Sequence, residues 1–339
     1  MDIDYTEGID APLNRVIFRG RCFFYAEQSS VISNQNAYCF IDPLVFQLVH
    51  SPKQPGPPMD EKDTRNGKGQ FSKLRWSLIG LYALIIVFLQ ISKNPVGSSI
   101  EHTIYAFAVF VIAGLHGRER YGLKNITIFF LVTWAISLFF EALTIRTGLL
   151  VGHYHYIQFP ISLFGVPLIV IVAYFGTGYF SWMLAHVFTG QFSKKLEGKW
   201  IFVVPLIAAF ILVIWDLGMD PIFSTVLSLW VWESPGPYFG VPITNFVGWF
   251  VIGFTFYQLF ALYLSRYDRI RPQKVKTLAS KPYWLEAAIV YGLIGFTIII
   301  TPVTIYNDIT VSMALVTVFT MIFVAIISLI EIINDSELR

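Results

Sequence analysis

Apolar residues in this chain neither alternate strictly with polar ones nor form a narrow helical stripe; they come in long blocks. Eight such blocks fall near 76–92, 102–116, 126–145, 166–188, 200–216, 244–264, 284–301 and 311–333. A helix crossing the hydrocarbon core of a bilayer needs about 20 residues, with roughly 17–25 usual. The blocks therefore predict spanning helices, of which the second is short. A closed barrel would alternate apolar and polar positions, and these runs are apolar all round. The predicted fold class is an all-α polytopic membrane protein with about eight transmembrane helices.

The charges between the blocks predict their orientation. Lys62, Arg65, Lys68, Lys73 and Arg75 precede the first span, and only Lys93 follows it. Arg118, Arg120 and Lys124 come next, then Arg146 alone, then Lys194, Lys195 and Lys199. Residues 217–243 hold no Lys or Arg, residues 265–283 hold six, and the loop near 302–310 again holds none. This alternation predicts both termini in the cytoplasm, and it also supports the short second span.

Composition agrees. Of 339 residues, 55% are hydrophobic and only 14% charged, with a mean hydropathy of +0.62. Soluble domains carry about 25% charged residues, so a multi-pass protein of the cell membrane is expected. The net charge of +2 comes with no basic block that would suggest nucleic acid. Cys22 and Cys39 match no zinc-ligand spacing and make no disulfide framework. Residues 1–75 read as a cytoplasmic tail and linker, 76–333 as the membrane domain and 334–339 as a short cytoplasmic tail. Residues 1–58 do not read as a signal peptide, and Met59 begins a stretch that looks like an ordinary cytoplasmic start. Residues 1–58 are therefore expected to be dispensable.

Polar residues then gather on the predicted outer side. Glu141 ends the third span, and His153 and His155 follow in GHYHY (152–156). Asp216 and Asp220 end the fifth span in WDLGMDP (215–221), Glu233 lies in WVWESPGPYFGVP (230–242), and Asn307 and Asp308 lie in the last loop. An ionisable residue in a membrane segment is by default a candidate for function. A weak repeat links two of them. FGVP occurs at 164–167 and at 239–242, and Glu141 and Asp216 each precede the glycine of their copy by 24 residues. FGVP itself reads as a turn followed by a proline that starts a helix. Asp220 before Pro221 also fits a turn cap. The pair His153 and His155 lacks further ligands at recognisable spacing, so no metal is expected.

The run from Glu141 through GHYHY and FGVP to WDLGMDP and WVWESPGPYFGVPITNFVGW (230–249) resembles the CruF-type integral-membrane carotenoid hydratases, the family of the bisanhydrobacterioruberin hydratases and the carotenoid 1',2'-hydratases. The resemblance spans roughly 76–333 and is densest over 141–249. It implies a lyase of carotenoid biosynthesis that adds water to a terminal C=C of an acyclic carotenoid. Its partners are then the long polyene, water and the bilayer, with no cofactor. The chemistry needs a strong proton donor and a group that handles water, which the side chains themselves suggest. Asp216 is the expected acid, Asp220 the group that orients water, and Glu141 supports the proton's return. Trp215, Trp230, Trp232, Tyr154, Tyr156, Tyr238 and Asn245 are expected to bind substrate, aromatic faces being suited to a cationic intermediate. His153, His155 and Glu233 are expected as polar support. Two other readings share these residues: a membrane carotenoid cyclase, and a lipid or carotenoid transporter using the carboxylates as a proton relay.

Overall fold

The computed structural model describes residues 61–91, 98–157, 159, 161–192, 194–268 and 278–338, all within one compact unit, Asp60–Arg339. The expectation for residues 1–58 lies outside these. Seven helical stretches are long and apolar enough to cross a membrane. They are α1 (Glu61–Ile91), the stretch Ser98–Thr147, α4 (Leu168–Phe188), α5 (Trp200–Asp220), α6 (Ile243–Tyr267), α7 (Lys281–Ile300) and α8, which spans Asp308–Asn334.

Ser98–Thr147 is two helices. Gly122 breaks it with φ 78 and ψ 165, dividing it into α2 (98–121) and α3 (123–147). Phe110 and Phe130 would stand about 30 Å apart on a straight helix, yet their ring centroids are 5.7 Å apart. The chain therefore folds back on itself, and the short second block crosses in its own right. The protein is an all-α polytopic membrane protein, with eight helical segments among the described residues.

The centre of the bundle is α4. Every residue from Tyr174 to Val187 is buried, so the helix is enclosed on all sides and needs no polar face. Charged groups at and near the ends of the spans are not all solvated. Arg75 Nε donates to Glu286 at 2.5 Å and its Nη1 to Glu119 at 3.3 Å, while Arg120 meets Asp268 at 3.2 Å. Arg75, Arg120, Glu286 and Asp268 are buried.

The repeat is a real structural unit. Phe164 and Gly165 have φ of 55 and 88, and Phe239 and Gly240 have φ of 49 and 91. Two consecutive positive φ angles make the tight hairpin tip called type I′. The first tip joins β2 (Ser162–Leu163) to β3 (Val166–Pro167), and the second closes a Tyr238–Val241 bridge. Pro167 and Pro242 then sit at the N-caps of α4 and α6, with φ/ψ of −62/135 and −63/139. The sequence places each at the first helical residue; both lie one position before it.

The two copies face each other. β1 (Tyr154–Tyr156) pairs antiparallel with β4 (Trp230–Trp232), with His155 opposite Val231 at the centre. Residues 75 apart also meet: Tyr174 and Trp249 at 4.3 Å between ring centroids, Trp182 and Tyr257 at 5.7 Å. Equivalent residues touching in this way define a local two-fold axis relating α3–α4 to α5–α6.

Candidate active site

Tyr174 and Trp249, the pair that meets across the repeat, both line a cavity of about 130 Å³. Glu141 reaches it from the end of α3, Asp216 and Asp220 from the last turns of α5, and Asn245 from the first turn of α6. All four side chains are buried, at 4%, 2%, 1% and 1% exposure. Asp216 and Asp220 share a helix face because they are four residues apart.

Asn245 joins the two aspartates. Its Nδ2 donates to Asp216 Oδ2 at 2.9 Å and to Asp220 Oδ2 at 2.5 Å. The other oxygen of Asp220 accepts from Trp230 Nε1 at 3.0 Å. Asp220 therefore does not cap a turn. Its own backbone is helical, at φ −60 and ψ −43, and the chain continues through Pro221 as a π-helical turn, Pro221–Val226. The fifth helix thus runs ten residues beyond the end read from the apolar block, which had stopped at 216. Wide π turns of this sort tend to occur at functional positions.

Glu141 sits in a different setting, surrounded by phenols. Tyr154 and Tyr174 each donate to it, and Tyr156 donates at 3.3 Å. Burial pushes the Tyr156 phenol well above its ordinary value, and the neighbouring Glu141 charge adds to this. It stays a neutral donor. Three donors and no acceptor suit an ionised carboxylate.

Strand periodicity decides which loop residues take part. Side chains alternate along a strand, so Tyr154 and Tyr156 line the cavity while His155 between them is exposed. Trp230 and Trp232 line it from β4, and Trp215 from α5. His153 and Glu233 are also exposed and do not line the cavity. None of His153, His155 and Glu233 supplies polar support there. Among the described residues no three His, Cys, Asp or Glu side chains are grouped to hold a metal ion. Asn307 and Asp308 do not join the cavity either; Asn307 caps α8 reciprocally with Thr310.

Tyr238, expected at the substrate, serves the backbone instead. Pro221 has no N–H to offer the carbonyl four residues earlier. That carbonyl, on Leu217, accepts from Tyr238 Oη at 3.0 Å.

Several cavity residues escaped the sequence reading. Tyr174 and Trp249 lie inside apolar runs, and Tyr82, His102, Thr103 and Tyr105 come from α1 and α2. The 75-residue offset links Tyr174 to Trp249 and was the one signal available for them.

This is the site of a polytopic helical membrane protein whose buried carboxyl groups meet in an aromatic, largely apolar chamber suited to a hydrocarbon. The chain belongs to the carotenoid biosynthesis protein family, whose model matches residues 99–328. Comparisons with curated proteins and with solved structures gave no significant match. The resemblance read from 141–249 therefore holds at the level of the family, and the protein acts in carotenoid biosynthesis.

Proposed function

We propose that the protein works in the cell membrane as a carotenoid hydratase, adding water across a terminal C=C of an acyclic carotenoid. The supporting observation is the convergence of three buried carboxyl groups, in two contrasting settings, on one aromatic-walled cavity.

Asp216 and Asp220 accept from the same amide nitrogen, and like charges held so closely do not both ionise. The pair holds one proton. Asp216, at the tryptophan-lined wall, delivers it to the less substituted alkene carbon, and the π electrons form the new C–H bond. The adjacent carbon becomes a tertiary cation, faced by Trp215, Trp230 and Tyr154. A water molecule oriented by Asp220 forms the C–O bond and loses a proton to Glu141. Return of that proton to the aspartate pair closes the cycle, and the product is a tertiary alcohol. The division into donor and acceptor carboxyls follows from their surroundings.

The test is expression in a lycopene-producing host with pigments analysed by mass. Wild-type protein is expected to add the mass of water, whereas an unchanged mass with altered absorption would identify a cyclase. Asp216→Asn, Asp220→Asn and Glu141→Gln are each expected to lower product by about 10²–10⁴-fold, with membrane levels maintained. Normal product from all three variants would remove the carboxyl groups from the chemistry.

A further inference from the structure

A second concavity, of about 420 Å³, runs between α1 and α2 on the flank of the bundle. Leu81 and Ile85 of α1 and Phe107 and Ala108 of α2 line it. Leu81 and Phe107 are more than half exposed, so in a bilayer this groove is open to lipid. Tyr82 and Thr103 line both the groove and the carboxylate cavity. From Thr103 the groove follows α2 to Ile112, about 14 Å at 1.5 Å per residue.

The two volumes differ in use. An apolar cavity of about 150 Å³ accommodates a single benzene ring. The carboxylate cavity, at about 130 Å³, is thus matched to the terminal isoprenoid unit of a carotenoid. The body of the polyene needs a second apolar surface continuous with the first. Loops and carboxylates close one end of the cavity, where hydrocarbon gains nothing. At Tyr82 and Thr103, which line both, the cavity and the groove share a wall.

We propose that the α1–α2 groove is the binding site for the body of the polyene, threaded past Tyr82 and Thr103 with one end at a time among the carboxylates. The identity of the chemistry rests on the hydratase reading; the groove rests on the two lining residues, Tyr82 and Thr103, that it shares with the cavity. The polyene then stands along the helices and reaches the site sideways from the membrane. Admission from the lipid also explains why α1 and α2, outside the repeat, contribute to the cavity at all.

The test uses the full chain in lycopene-containing membranes. A photoreactive diazirine side chain at Ala108 is expected to crosslink lycopene. Crosslinking of phospholipid alone would assign the groove to an ordinary acyl chain and overturn the proposal. In parallel, Ala108→Trp and Ile104→Trp fill the groove, while Leu84→Trp alters a lipid-facing position outside it. The groove variants are expected to lower turnover of lycopene relative to a short terpene with the same terminal unit by at least about tenfold, since the long chain can no longer seat its reacting end. Leu84→Trp is expected to leave that ratio unchanged. An unchanged ratio in both groove variants would also overturn the proposal. Crosslinking of lycopene without hydration of either substrate would instead refute the hydratase reading and leave the polyene site standing.

Discussion

Asn245 lines the cavity and offers one amide nitrogen to two carboxyl groups, so on the hydratase reading it positions both aspartates. Leucine has nearly the same shape and no donor, so Asn245→Leu leaves the aspartates unpartnered on that side. Hydrogen bonds to charged groups contribute about 1.5–3 kcal/mol, so hydration is expected to fall by about tenfold to hundredfold. Pigment conversion normalised to membrane protein measures this. Tyr174→Phe removes one of three donors to Glu141 and is expected to have a smaller effect, since Tyr154 and Tyr156 remain. A larger loss from Tyr174→Phe than from Asn245→Leu would reverse the assigned weights. At this scale the sequence showed the carboxylates because charge in an apolar run is conspicuous. It did not show Tyr174, because a phenol in the run LIVIVAYFG looks like any other membrane aromatic. Only its position opposite Glu141 distinguishes it.

Two prolines, Pro205 inside α5 and Pro221 in the π turn that extends it, remove backbone donors, and in lipid no water fills the gap. Pro205 frees the carbonyl of Ile201, which accepts from Gln258 Nε2 at 3.1 Å, and Pro221 frees that of Leu217, taken by Tyr238. A side chain of α6 and one from the loop that precedes it thus repair the helix that carries the aspartates. Tyr238→Phe is expected to cost about 1 kcal/mol, the low end for an acceptor left unsatisfied, because this hydrogen bond is only partly buried. In a Pro221→Ala background the N–H returns, and the same substitution is expected to cost clearly less. Thermal unfolding of the four proteins in detergent forms the cycle; equal costs in both backgrounds would contradict the repair. The two hairpin tips separate in the same way. A Cβ at Gly240 would lie 2.6 Å from Thr225 Oγ1, whereas at Gly165 its nearest neighbour is 3.8 Å away. Both positions have positive φ, so both alanine variants are strained, but Gly240→Ala is expected to be the more destabilising. The proline spacing was legible in the sequence; which distant side chains answer it was not.

For the whole molecule, the loop charges make a prediction that packing leaves untouched. Residues 217–243 carry no Lys or Arg, which assigns them to the outer side. Ser234, exposed in that stretch, is expected to react as cysteine with an impermeant thiol reagent added outside. Labelling only from the cytoplasmic side would invert the topology. The same assignment puts the carboxylate cavity near the outer surface and the α1–α2 groove toward the middle of the bilayer, where the proposed polyene site requires it.

By itself the sequence determined the number and order of spans, the gathering of Glu141, Asp216 and Asp220 toward one side, and the weak 75-residue echo between FGVP copies. Hydrophobic blocks, loop charge and short motifs are local properties, written in consecutive residues. The tertiary structure decided the rest. It turned the echo into a two-fold axis, because Tyr174 meets Trp249 and β1 pairs with β4. It carried α5 past Pro221, because Tyr238 takes the carbonyl that the proline releases. It separated Tyr154 and Tyr156 from His155, because a strand presents alternate residues to opposite faces. Each of these depends on contacts between segments far apart in the chain, whose cost and gain exist only once the helices have packed.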